Sequence, residues 1–115
     1  MKNPARFLLM AFFAFVFVMH STVTLAAVSG GTVDVEYLTD SDGYNYGANF
    51  FVSSNINEPI YAFPYITSQE NVNGAVTSGP IPLAANEQHF RIGSFICADR
   101  SKAWSVDVNC KFERQ

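Results

Sequence analysis

Residues 103–112, AWSVDVNCKF, alternate between apolar and polar side chains without a break from Trp104 onward. Trp104, Val106, Val108, Cys110 and Phe112 share one parity; Ser105, Asp107, Asn109 and Lys111 share the other. A helix would mix the two classes on every face, whereas a strand sends alternate side chains to opposite sides of a sheet. The same period returns in GTVDVEYLT, residues 31–39, where Val33, Val35 and Tyr37 oppose Asp34 and Glu36. No window carries a helical repeat. Further strands are predicted in ANFFVSSNI (48–56), PIYAFPYIT (59–67) and HFRIGSFIC (89–97). SDGYNYG makes a turn, Asn73-Gly74 a tight hairpin turn, and GPIPLAANEQ a proline-punctuated connection. Pro64 cannot donate to a ladder, so its part of the third strand belongs at an edge or bulge. The expected class is all-β: an immunoglobulin-like antiparallel sandwich of about six to eight short strands, with a tight closed barrel as the alternative.

The N-terminus does not fit this pattern. Lys2 and Arg6 precede an unbroken apolar run from Phe7 to Met19, and Thr24-Leu25-Ala26 offers small residues for cleavage. That is the layout of a secretory signal peptide. The run of 13 residues is short of the roughly 20 that a membrane-spanning helix needs. Residues 1–26 are therefore expected to be a signal peptide cleaved after Ala26 or Ala27, and residues 27–115 one β-sandwich domain. The mature protein is expected to be secreted or periplasmic, with no integral membrane span.

Removing Lys2 and Arg6 takes the net charge from −3 to −5. Seven acids (Asp34, Glu36, Asp40, Asp42, Glu58, Glu70, Glu87) and no Lys or Arg occupy residues 27–90, and all five remaining bases lie between Arg91 and Arg114. Nucleic acid is a poor partner for such a chain, because phosphates need clustered cations.

Reactive groups are sparse. His20 leaves with the signal, so His89 is the only imidazole, too few for a zinc site of histidines and carboxylates. His89 is expected half-exposed at the mouth of a strand. There is no nucleophile elbow and no phosphate-cradling glycine loop. Asp40, Asp42 and Asn45 offer oxygens near a glycine, but Tyr44 and Asn45 stand where an EF-hand needs a ligand and a glycine, so the expected feature is an acidic turn. Neither a metal nor a cofactor is expected, and the chain is expected not to be an enzyme.

Compartment favours a disulfide between Cys97 and Cys110. A simple hairpin of 90–97 with 103–112, turning at Asp99–Lys102, would hold the two cysteines roughly 20 Å apart along the ladder, whereas a bond needs Cα atoms within about 7 Å. Either the two strands occupy different sheets, or both thiols are separate core residues.

Two stretches qualify as a binding site. Asp99, Arg100, Ser101 and Lys102 with Trp104 gather cations on an acidic protein and suit an anionic surface; the plainer expectation is a solvated turn anchored by Trp104. Tyr44 and Tyr46 in the acidic turn suit a sugar ring or a partner protein, since tyrosine buries its ring and keeps its hydroxyl wet. Tyr61 and Tyr65 are expected to line the core beside Phe63.

NEPIYAFPYITSQENVNG, IPLAANEQHFRIGSF and CADRSKAWSVDVNCKF, taken in order, resemble the small β-sandwich module that precedes the catalytic domain of some exported lysostaphin-type peptidoglycan peptidases. Asp99, Ser101, Lys102 and Trp104 match the module's cluster of aspartate, serine-lysine and aromatic. The resemblance implies the sandwich fold and export. The peptidase's catalytic half, with its zinc-binding histidines, has no counterpart in this sequence. The leading functional expectation is an exported, non-enzymatic sandwich that binds an envelope or extracellular protein as an inhibitor, immunity-type or accessory factor. A glycan or peptidoglycan-binding module is the alternative, followed by a small enzyme and by a structural subunit of a surface assembly.

Overall fold

The computed structural model describes the backbone of residues 22–28 and the whole of residues 30–115. Residues 1–21, the larger part of the expected signal peptide, lie outside the described residues.

Every regular element described is a strand: β1 (Thr22–Val28), β2 (Gly31–Thr39), β3 (Asn45–Ser54), β4 (Ile60–Glu70), β5 (Val72–Val76), β6 (Ile81–Leu83), β7 (Phe90–Cys97) and β8 (Ser105–Arg114). They form two antiparallel sheets, one ordered β1-β2-β3-β7-β5 and the other β6-β4-β8. Leaving aside β1 and the short β6, the order β2-β3-β7-β5 over β4-β8 is that of an immunoglobulin sandwich, A-B-E-D over C-F. No strand occupies the place of G beside β8 among the described residues. Nor is any described helix long and apolar enough to cross a membrane.

Alternation dictates the core. Val33 and Val35 from β2, Phe50 and Val52 from β3, and Ile92 and Phe95 from β7 meet Ile60 and Ala62 from β4 and Val106, Val108 and Cys110 from β8. The consecutive Phe50 and Phe51 are both buried, for different reasons. Phe50 meets Phe95 edge-on in the core, while Phe51 faces outward under the stacked imidazole of His89, 3.8 Å between centroids. His89 is half-exposed, as expected, with Nε2 3.3 Å from Glu36.

The structure differs from sequence expectation in four places. Asn73-Gly74 is not a turn: both lie inside β5, paired with Ile96 and Phe95 of β7. Gly74 is required because β5 runs so close to β7 that a Cβ there would sit 2.2 Å from the Ser94 carbonyl oxygen. The chain instead changes sheets one residue after β4, at Asn71, in the left-handed region at φ 57°. Secondly, the proline-rich connection contains β6, which pairs with Ile60–Ala62. Because β6 reaches no further than Ala62, the stretch around Pro64 has a ladder neighbour only in β8, which is the edge position proline requires.

Thirdly, Tyr61 and Tyr65 do not line the core. Ile60 and Ala62 do, so Tyr61, Phe63 and Tyr65 share the outer face of the small sheet, with Tyr65 39% exposed. Fourthly, Cys97 and Cys110 are free and buried, not bonded to one another. The strand switch puts them in different sheets, and it does not bring them level. Cys97 ends β7 at the 98–104 loop, whereas Cys110 stands roughly 16 Å down β8 from its start at Ser105. Burial pushes the Cys110 thiol up to about 11, so it carries almost no thiolate at pH 8. Intact mass of the native protein under non-reducing conditions should equal that of the dithiol, with no alkylation by iodoacetamide at pH 8 and two additions once unfolded in urea. A mass 2 Da lower would show that the cysteines are bonded after all.

Candidate functional site

The two stretches that the sequence offered separately meet at one end of the sandwich. The β2–β3 turn, 40–44, and the β7–β8 crossing, 98–104, are joined by Arg100. Its Nη2 donates to Asp40 Oδ2 at 2.6 Å, and its guanidinium lies over the Tyr44 ring, 4.3 Å from the centroid. Cation–π contact and charge pairing thus hold one side chain from two directions.

Each loop is also tied internally. Asp40 Oδ1 accepts from the backbone N–H groups of Asp42 and Tyr44, closing the turn. Both oxygens of Asp40 are therefore engaged, as an acidic turn implies. Asp99 Oδ1 accepts from the N–H and the hydroxyl of Ser101, and Lys102 Nζ lies 4.0 Å from Asp99 Oδ2. Trp104 is half-buried against the core. Its Nε1 donates to the Asn45 carbonyl at 2.9 Å and its ring tilts against Tyr37 at 6.3 Å. Trp104 is an anchor at the start of β8, and the exposed part of the patch is Asp99 to Lys102 with the edge of Tyr44.

Tyr44 donates its hydroxyl to Cys97 Sγ at 3.5 Å. Burial first, and that contact second, raise the phenol above its ordinary range, so it stays a donor at physiological pH. Tyr46 belongs to β3 and not to the turn. Leu38 pairs with Gly47 and Thr39 with Asn45, leaving Tyr46 as the extra residue of a bulge, half-buried.

The residue that organises this end was not singled out from the sequence. Asn71, at the sheet crossing between β4 and β5, donates Nδ2 to the carbonyls of Asp99, Lys102 and Ala103 at 2.9, 3.1 and 3.2 Å. Its Oδ1 accepts from Asp99 N–H, and its own carbonyl from Ala98 N–H. Asparagine tolerates the left-handed conformation and offers both donor and acceptor, so one side chain serves the turn and the loop together. The available signal was an asparagine four residues beyond the predicted strand; the Asn-Gly two residues later drew the turn assignment.

The charges are mixed. Arg100 and Lys102 stand among Asp40, Asp42 and Asp99, which leaves the patch one negative charge in excess. The two cations therefore do not stand as an isolated positive patch: Arg100 pairs with Asp40 and Lys102 lies near Asp99. The hydrogen bond from Arg100, then those from the backbone, hold the Asp40 carboxyl below the usual carboxylate range. A depressed carboxylate contributes its tie above the ordinary value and loses it as pH falls through the folded one. The Arg100 contact should therefore persist at neutral pH and be released only below about pH 4. An NMR titration following Arg100 Hε and the Tyr44 ring protons should show no transition between pH 5 and 8. A transition inside that window would mean that Asp40 is not the acid that holds Arg100.

Comparison with known proteins brought no relative: no family model, curated protein or solved structure matches this chain.

Proposed function

We propose that this chain is an exported, non-enzymatic β-sandwich that binds a protein partner through the end formed by Tyr44 and Asp99–Lys102. The observation that carries this reading is preorganisation: an exposed loop held by four hydrogen bonds to the Asn71 side chain, with an arginine already stacked and paired. Fixing such side chains before binding lowers the ordering cost of association. Arginine and tyrosine are also the residues that most often dominate interface energetics. The signal-peptide pattern and the resemblance to an exported module support the compartment, which is secreted or periplasmic.

The test compares the exported protein with its Arg100→Ala/Lys102→Ala variant in co-purification from envelope extract. Both cations are largely exposed, so the double change should leave the melting temperature nearly unchanged. A specific partner should be recovered with the parent and lost, or reduced at least about tenfold, with the variant. Equal recovery by both would place the interface elsewhere. No specific partner with either would end the reading.

A glycan or peptidoglycan-binding role has an observation of its own. The outward stripe Tyr61, Phe63 and Tyr65 lies on the outer face of the small sheet, with Tyr61 paired to Pro82, and exposed aromatic rings suit sugar rings. Retention on purified cell walls that falls with Tyr65→Ala, and not with the Arg100/Lys102 variant, would favour it.

A further inference from the structure

We propose that the seam between β2 and β8 accepts a strand: processing at Ala26–Ala27 vacates it, and a partner protein fills it with an extended segment in which aliphatic residues alternate with Lys or Arg. This rests on the export and partner binding proposed above and adds a second contact, on the sheet edge, with its own chemistry. Three observations carry it.

The first is topological. The large sheet ends at β2 once β1 is set aside, and the small sheet ends at β8 among the described residues. β1 is paired with β2 and also lies against β8. It therefore fills the seam between two sheet edges that otherwise face one another open.

The second is the position of the expected cleavage bond. Ala26–Ala27 falls inside β1, and both alanines are paired, with Val33 and Thr32. Cleavage there removes Thr22–Ala26, the partners of Val33 to Glu36, and leaves only Ala27 and Val28 on the ladder.

The third is the character of the exposed edge. Free edges are ordinarily blunted by lysine, proline or an inward charge. The nine residues Gly31–Thr39 contain no Lys, Arg or Pro. Their inward row is Val33, Val35 and Tyr37, and their outer row carries Asp34 and Glu36. This edge is built for pairing. Its charge also selects the occupant: two copies joined through β2 would bring the acids of one alongside those of the other, and like charges opposed across a ladder repel. A strand with cations at the positions opposite Asp34 and Glu36 gains where a second copy loses. β-augmentation of this kind draws affinity from the backbone and specificity from alternate side chains.

The test uses the full-length chain expressed with its own leader and recovered after export. Intact mass gives the N-terminus, and calorimetry measures binding of three synthetic peptides: TVTLAAV itself, its Thr22→Lys/Thr24→Lys form, and its Val23→Pro form. The lysines stand opposite Glu36 and Asp34 in the observed register, and the proline removes a ladder donor opposite Val35. The expected result is an N-terminus at Ala27 or Val28 and binding of TVTLAAV. Binding of the lysine form should be about fivefold tighter at low salt, an advantage lost at high salt, with no binding of the proline form. An N-terminus at or before Thr22, no binding of TVTLAAV, or no gain from the lysines overturns the proposal. So does a processed chain without β-structure that TVTLAAV does not restore. Recovery of a partner that the TVTLAAV peptide fails to displace would leave the function standing and remove only this mode of binding.

Discussion

Phe95→Ala should lower the unfolding free energy by about 4 kcal/mol and the melting temperature by roughly 20 °C. Phe95 is fully buried on β7, the strand between β3 and β5, and meets Phe50 edge-on at 5.8 Å and 87°. What makes the site costly is its surroundings. Its ladder partners are Ala48 on β3 and Gly74 on β5, the two smallest residues available. Neither has a side chain that can relax into the space the ring leaves, so the cavity persists and the cost falls toward the upper part of the range for such changes. A domain of this size has only about 5–15 kcal/mol in total, so the variant is left close to unfolding at 37 °C. Phe95→Leu keeps most of the volume and should cost about 1.5 kcal/mol or less. Urea unfolding followed by circular dichroism measures both; a Phe95→Ala cost under 1 kcal/mol would mean that the two sheets close over the gap.

The strands were legible because alternation is a local property. β2 coincides with the expected residues 31–39, and the inward row Val106, Val108 and Cys110 is the one expected for β8. Alternation says which side chains share a face and nothing about which sheet the strand joins. The cysteine pair was expected from compartment and not from alternation: β7 and β8 do lie in different sheets, which would have allowed a bond, but the two thiols are offset along the strand axis. Tyr61 and Tyr65 went to the wrong side. PIYAFPYIT has apolar residues at both parities, so alternation alone does not say that Ile60 and Ala62, and not Tyr61 and Tyr65, face the core. Asn-Gly illustrates the same limit. The dipeptide signals a glycine conformation, but here the glycine serves a close approach between β5 and β7, with φ 153°, and no reversal of the chain. As for the site, the residue types at its rim were legible, because solvated cations and tyrosines beside turn residues are readable one by one. Their assembly into one patch was not, since Arg100 and Asp40 are sixty residues apart in sequence and meet only because two crossings share an end of the sandwich.

Asn71→Ala should cost about 2 kcal/mol, a fall of roughly 10 °C in melting temperature, and should also loosen the binding end without touching any exposed residue of it. Two effects add. Alanine at φ 57° is strained where asparagine is tolerated. The carbonyls of Asp99, Lys102 and Ala103 and the N–H of Asp99 lose a fixed partner together. Water reaches this loop and replaces part of what is lost, which keeps the cost below that of an equally connected buried asparagine. The two effects separate with a second variant. Asn71→Gly restores the backbone conformation but none of the side-chain bonds, so it should recover about half of the stability and none of the loop order. Amide exchange at residues 99–102 should be faster in both variants and unchanged in Arg100→Ala/Lys102→Ala, where the cradle is intact. If Asn71→Gly keeps parental protection across the loop, the side chain is not what holds it, and the preorganisation behind the proposed interface must come from the Arg100–Asp40 contact instead.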